Sequence, residues 1–355
     1  MGYPPEEYEN PADHIMDVLR DHGENLTISL TNVSEKSQLS SKNNEKQVDL
    51  DLRESEMPGL LQKFKTLCGR SFKTLQRQPQ LIKVSIGTSI FYALASGAIF
   101  YRIDKDDCYP SDLATLAVPT QNRLGAVFFI CINTWFSAAM YILLFNEKAA
   151  IFKRESASGY YSVGPYFFSV YLIEVLPSRV IPALCYGSIG YWMIGFSRTV
   201  GAFFLWFLML LNLSICSGAC LLGLSATFQN PTATQLAYVL IALFSMLHSG
   251  MFPNLATITW ATKWFQYVSI MRYTLEGMTV SEYLHLQQED DVFYKNGTQY
   301  VCNYDQKSNF IQKWMAIPDM SYSTWGRDFG LSSLLCLFFL VLTYVGLARS
   351  TKIRQ

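Results

Sequence analysis

Polar and apolar residues divide the chain near residue 80. Before it, charged and amide side chains are interleaved; after it, long apolar runs recur, separated by short polar stretches. A membrane-crossing helix needs roughly 20 mainly apolar residues. Six stretches qualify: 81–101, 124–145, 165–196, 201–228, 232–252 and 329–348. The third is long for one crossing, is interrupted by Pro177 and Pro182, and carries Glu174 and Arg179. An apolar piece at 257–273 holds Lys263 and Arg272 and suits a re-entrant segment better than another crossing. The pattern predicts an all-α membrane protein of six transmembrane helices, spanning 80–355.

The polar segment has its own pattern. Residues 25–57 are rich in Ser, Asn, Lys and Glu and read as a disordered linker. Over 58–79, Leu60, Phe64, Leu67, Phe72 and Leu75 recur at helical spacing with Lys and Arg between them, and Pro79 closes the run. A basic amphipathic helix before a membrane span lies on the membrane surface. A second reading is that it also contacts a cytoplasmic partner.

Charge orients the spans. Lys63, Lys65, Arg70, Lys73 and Arg77 precede the first span. Lys148, Lys153 and Arg154 separate the second from the third, and Arg349, Lys352 and Arg354 follow the last. Six spans put all three groups on one side, which is then cytoplasmic, as are both termini. A long loop at 285–327 then lies outside, with the glycosylation sequon Asn296-Gly297-Thr298 in it. The sequons at Asn25, Asn32 and Asn212 fall in the cytoplasmic segment or inside a span and read as chance.

Composition agrees. Of 355 residues, 50% are hydrophobic and 16% charged, against roughly a quarter charged in soluble domains. The formal net charge is zero, which gives a nucleic acid partner no footing. No span carries a His cluster, paired aspartates or a Ser/His arrangement, so intramembrane catalysis has no support. Cys216 and Cys220 share one helix face, but a metal site needs more ligands. Small-residue packing with Ser214, Gly218 and Gly223 explains them.

Several motifs together resemble one family. Gly2-Tyr3-Pro4, Tyr8-Glu9-Asn10-Pro11-Ala12-Asp13 and Met16-Asp17 are similar to the closing segment of a nucleotide-binding domain in G-subfamily ABC transporters. Arg70-Ser71-Phe72, Arg77 and Pro79 resemble that family's connecting helix. Phe152, Glu155 and Ser158-Gly159-Tyr160-Tyr161 resemble its coupling loop. Leu176-Pro177, Arg179 and Ile181-Pro182 resemble its third span. Ser249-Gly250, Asn254-Leu255, Gln266-Tyr267, Ser269-Ile270 and Arg272-Tyr273 resemble its fifth span and the region beyond. The resemblance runs in the family's order over nearly the whole chain, and the second span and the loop before the sixth look similar to the breast-cancer-resistance type of multidrug exporter.

The resemblance implies an ABC-2 fold and a dimer of half-transporters with substrate between them. Asn133 and Phe136 would contact an amphipathic small molecule from one side, and Val239, Leu243 and Met246 from the other. The residues alone leave helix packing as an alternative for each. Met251 and Phe252 would form an apolar gate above the cavity, Arg179 would tune substrate choice, and Phe152, Glu155 and Tyr160 would meet a nucleotide-binding domain. Cys302 resembles a cysteine that bridges two subunits; it could instead pair with Cys108 or stay free.

One departure stands out. No Gly-Lys dipeptide and no Leu-Ser-Gly-Gly sequence occurs, so the phosphate loop of the ATP site is not in this chain. Residues 1–24 read as the remnant of a nucleotide-binding domain. ATP and magnesium would act only through a separate or preceding domain, and the chain itself would be no enzyme. Two readings stay open: the membrane subunit of an ATP-driven exporter, acting at the plasma membrane as a homodimer or heterodimer, and a shortened regulatory subunit that suppresses full-length half-transporters.

Overall fold

The computed structural model describes residues 59–77, 79–103, 113–158, 160–228, 230–253, 258–286, 292–295, 298–301 and 304–352. The expected domain remnant and linker at 1–57, and Cys108, Asn296 and Cys302, lie outside these residues.

The described chain is almost wholly helical. Helix α1 (Leu60–Arg77) leads into α2 (Pro79–Ile99). Pro79 opens α2, where its missing N–H would be unpaired in any helix. Helix α3 (Leu113–Phe136) continues through a 3-10 turn (Ser137–Tyr141) into α4 (Ile142–Ala157). Helix α5 (Val163–Val170), a π turn (Tyr171–Val175) and α6 (Leu176–Ile194) form one run. Then come α7 (Val200–Phe228), α8 (Pro231–Leu247), the short α9 (Trp260–Lys263) and α10 (Ile270–Leu286). Strands β1 (Val292–Lys295) and β2 (Thr298–Val301) pair antiparallel, with Phe293 opposite Tyr300. Helices α11 (Tyr304–Met315) and α12 (Tyr322–Lys352) complete the described chain.

Five runs are long and apolar enough to cross a membrane by length and composition: Pro79–Ile99, Thr120–Ala157, Val163–Ile194, Val200–Phe228 and Tyr322–Arg349. The shorter apolar α8 corresponds to the remaining expected span. Helix α7 is the centre: 78% of its apolar window is buried, against 28% for α2 and 22% for α12. Its small residues allow that burial. A side chain at Gly223 would meet Thr343 Oγ1 at 3.1 Å and the Phe339 carbonyl at 3.3 Å, so α12 approaches backbone to backbone. Asn212, inside α7, donates to Ser332 Oγ at 2.8 Å and Ser333 Oγ at 2.9 Å, tying the same two helices.

Four details differ from the expected pattern. Pro177 and Pro182 do not interrupt the third run; the π turn shifts the ladder just before Pro177, and the helix continues around Pro182. Helix α8 stops at Leu247, before the expected 252, because the chain turns through Gly250 at φ 89°. The last helix begins at Tyr322 rather than 329. The segment beyond 257 holds a further helix, α10, most of whose side chains are buried.

Candidate functional site

Helices α3 and α8 meet through aromatic stacking: the Trp135 and Tyr238 rings lie 5.4 Å apart and nearly parallel, and the Tyr238 hydroxyl donates to the Trp135 carbonyl. Both rings are fully buried. Phe136 and Val239 follow them in sequence, each half-buried. Val239, Leu243 and Met246 share one stripe of α8, and Leu243 is 45% exposed. Leu236, Leu240 and Leu247 of α8 are also exposed, while Phe244 stacks on Phe265 at 5.5 Å.

Asn133 looks elsewhere. Its amide donates to the Phe129 carbonyl at 2.9 Å. Its side chain lines a crevice of about 300 Å³ with Thr88, Tyr92, Arg179, Tyr186 and Ser214, to which no α8 residue contributes. The family resemblance implies separate roles for Asn133 and Arg179; the fold brings them to one crevice and leaves the α8 stripe apart.

Arg179 is 1% exposed. Its guanidinium donates to Ser137 Oγ, reaches the Thr134 carbonyl and Ser214 Oγ at 3.5 Å each, and sits 5.9 Å over the Tyr141 ring. Ser214 Oγ donates back to the Arg179 carbonyl at 2.9 Å. Glu174 is also buried and pairs with Lys148 from α4. Neither side chain snorkels to an interface, and they do not pair with each other.

Met251 and Phe252 sit on the turn after α8, not on a helix. Phe252 meets Phe128 edge to face at 5.2 Å, and Met251 comes within contact of the Gly125 position. At 1.5 Å rise per residue, Phe128 is about 7 Å along α3 from Asn133. Beyond the pair lies a pocket of about 600 Å³, lined by Gln121, Leu124, Met251, Phe310, Ile311 and Trp314. The sequence pattern missed this pocket, because α11 has too few apolar residues to stand out within a polar loop.

At the other end of the bundle, Glu155 accepts from Arg70 of α1 at 2.6 Å and from the Tyr161 hydroxyl. That carboxylate holds the Arg70 guanidinium above its ordinary range. Burial first, then the Glu155 bond, pushes the Tyr161 hydroxyl up. Phe152 has no exposed surface; its ring stacks on Tyr166 at 4.4 Å. Phe152 therefore supports the loop from within rather than presenting to a second domain. Tyr160, 71% exposed, is free to do so.

The family model for ABC-2 type transporters matches residues 62–283. The chain belongs to the ABC-2 type transporter family. Its curated relatives include ABC transporters named for the G subfamily. The pig "broad substrate specificity ATP-binding cassette transporter ABCG2" is 27% identical over 97% of this chain and 56% of its own length. The mouse protein of that name is 29% identical over 80% of this chain and 47% of its own. "ABC transporter G family member 1" of Dictyostelium discoideum is 27% identical over 87% of this chain and 37% of its own. The chain thus spans about half the length of the pig and mouse relatives. As an ABC-2 type membrane domain with five runs long and apolar enough to span, it is an integral membrane protein similar to part of these transporters.

Proposed function

We propose that this chain is the membrane half of an ATP-driven exporter of amphipathic small molecules, working as a homodimer or with another G-subfamily half-transporter. The observation that carries the reading is the apolar α8 face beside the α3–α8 stack. A stripe of Val239, Leu243 and Met246, flanked by Leu240 and Leu247, suits a second half facing it across a narrow apolar slot. Phe136 adds an aromatic surface to that slot, on which a flat ligand stacks. Met251 and Phe252 close it at one end as an apolar constriction that excludes water, and the pocket beside Phe310 and Trp314 receives what passes. Glycosylation at Asn296 and a bridge through Cys302 fit the same orientation, with both termini cytoplasmic at a plasma membrane.

The engine is a nucleotide-binding domain on a preceding segment or a separate chain, which would bring ATP and magnesium. Its contact on this chain is the loop bearing Tyr160, backed by Glu155, Arg70 and Tyr161, so a push there reaches α1 and α4 together.

The test is export of a fluorescent amphipath from cells that express this chain with a G-subfamily half-transporter carrying an intact ATP site. Leu243→Glu should abolish pairing in crosslinking, and Phe136→Ala should lower export several-fold at unchanged surface level. Co-expression that lowers export in proportion to pairing would instead favour a suppressing regulatory subunit. No pairing with itself or any half-transporter would sink both.

A further inference from the structure

The crevice between α2, α3 and α6 holds a positive charge that the protein does not neutralise. Arg179 forms no ion pair among the described residues. Nη2 makes its hydrogen bonds, while Nε and Nη1 are buried without a protein acceptor. Three of the five guanidinium N–H groups are therefore unused. A buried charge without a counter-charge is among the costliest arrangements in a protein, and more so at membrane depth. The other lining groups are donors or neutral: Asn133 has a second amide N–H, Thr134 Oγ1 is also buried without a partner, and Thr88 and Tyr92 complete the rim. No carboxylate lines the crevice. The crevice as a whole has room for about one water-sized particle.

We propose that Arg179, with Asn133 and Thr134, holds a single small anion of chloride size in this crevice. A water could accept the free N–H groups but would leave the charge uncompensated; a halide supplies both acceptor and counter-charge. The space is too small for a carboxylate-bearing amphipath in the same seat. The site is independent of the transport reading, since it rests on the crevice alone.

The test uses the full chain in lipid nanodiscs. Its thermal unfolding midpoint is followed as sodium chloride replaces sodium gluconate at constant ionic strength. The expected result is a saturable rise of roughly 2 °C or more, reproduced by bromide, not by acetate, and lost in Arg179→Met. Equal midpoints in chloride and gluconate, which would mean water alone fills the crevice, overturn the proposal. So does an undiminished chloride effect in Arg179→Met, or an acetate effect as large as that of chloride. Should Arg179→Met fail to fold, Thr134→Val is expected to weaken the chloride dependence several-fold. Crystals of the unsubstituted chain grown with bromide should give an anomalous peak at hydrogen-bonding distance from Nε or Nη1. A clean map with no peak there overturns the site irrespective of either variant.

Discussion

Arg123 on α3 and Glu282 on α10 form an ion pair whose side chains are 2% and 1% exposed. Glu282 also accepts from the Ser197 N–H at 2.7 Å, so one carboxylate joins α3, α10 and the α6–α7 turn. Removing one partner of such a pair costs about 3–5 kcal/mol, whereas replacing both with apolar groups can be neutral. Arg123→Met should therefore lower the unfolding midpoint in detergent sharply, and Arg123→Met with Glu282→Leu should recover most of it. A double variant no better than the single one would show that the Ser197 bond, not charge pairing, dominates. The sequence pattern flagged Glu174 and Arg179 because they interrupt apolar runs. It passed over Arg123, just before the second run, and Glu282, well past the 257–273 piece, which become buried only when two distant segments meet.

Helix α10 illustrates what periodicity does not reveal. Its 17 residues include Glu276, Glu282, Thr274, Thr279, Ser281 and His285, yet all of these are buried. Apolar periodicity marks a helix with one wet face; a helix enclosed on every side has no such contrast. Its polar groups are matched by others far along the chain, as where Arg327 of α12 reaches Glu276 at 2.6 Å. The spans themselves were legible, since lipid demands length and apolarity of each one separately. The residues proposed to contact substrate were named together by resemblance, and their division between the α8 stripe and the Arg179 crevice depends on helix rotation. Helix α1 carries a prediction at this scale. The Arg70–Glu155 pair is half-exposed on the arginine side, and such pairs contribute about 1 kcal/mol or less. Arg70→Ala should raise amide exchange across Leu60–Arg77 by no more than about fivefold. A far larger rise would mean the pair is the principal attachment of α1; no rise would leave the attachment to buried Leu67 and Ser71.

The bundle is organised around α7, with α2 and α12 at its margin. The outward side of α12 carries Leu334, Leu337, Phe338 and Val341, each more than half exposed. If lipid covers this side, an arginine there meets hydrocarbon, at a cost of about 2.5–3.5 kcal/mol near the centre of a span. Leu334→Arg should reduce integration of the last helix, seen as glycosylation of a reporter fused after Gln355. Unchanged integration would indicate that water or a polar partner covers this side.

The Asn212 link between α7 and α12 has a consequence for the order of synthesis. Helix α7 leaves the ribosome roughly 100 residues before its most extensive partner. In that interval its amide and the bare backbone at Gly223 have no α12 to meet. The half-made bundle must be sheltered by the insertion machinery, or by a neighbouring chain, until the final helix arrives. A nascent chain stalled before Tyr322 should therefore be held by membrane quality control and released once α12 is complete.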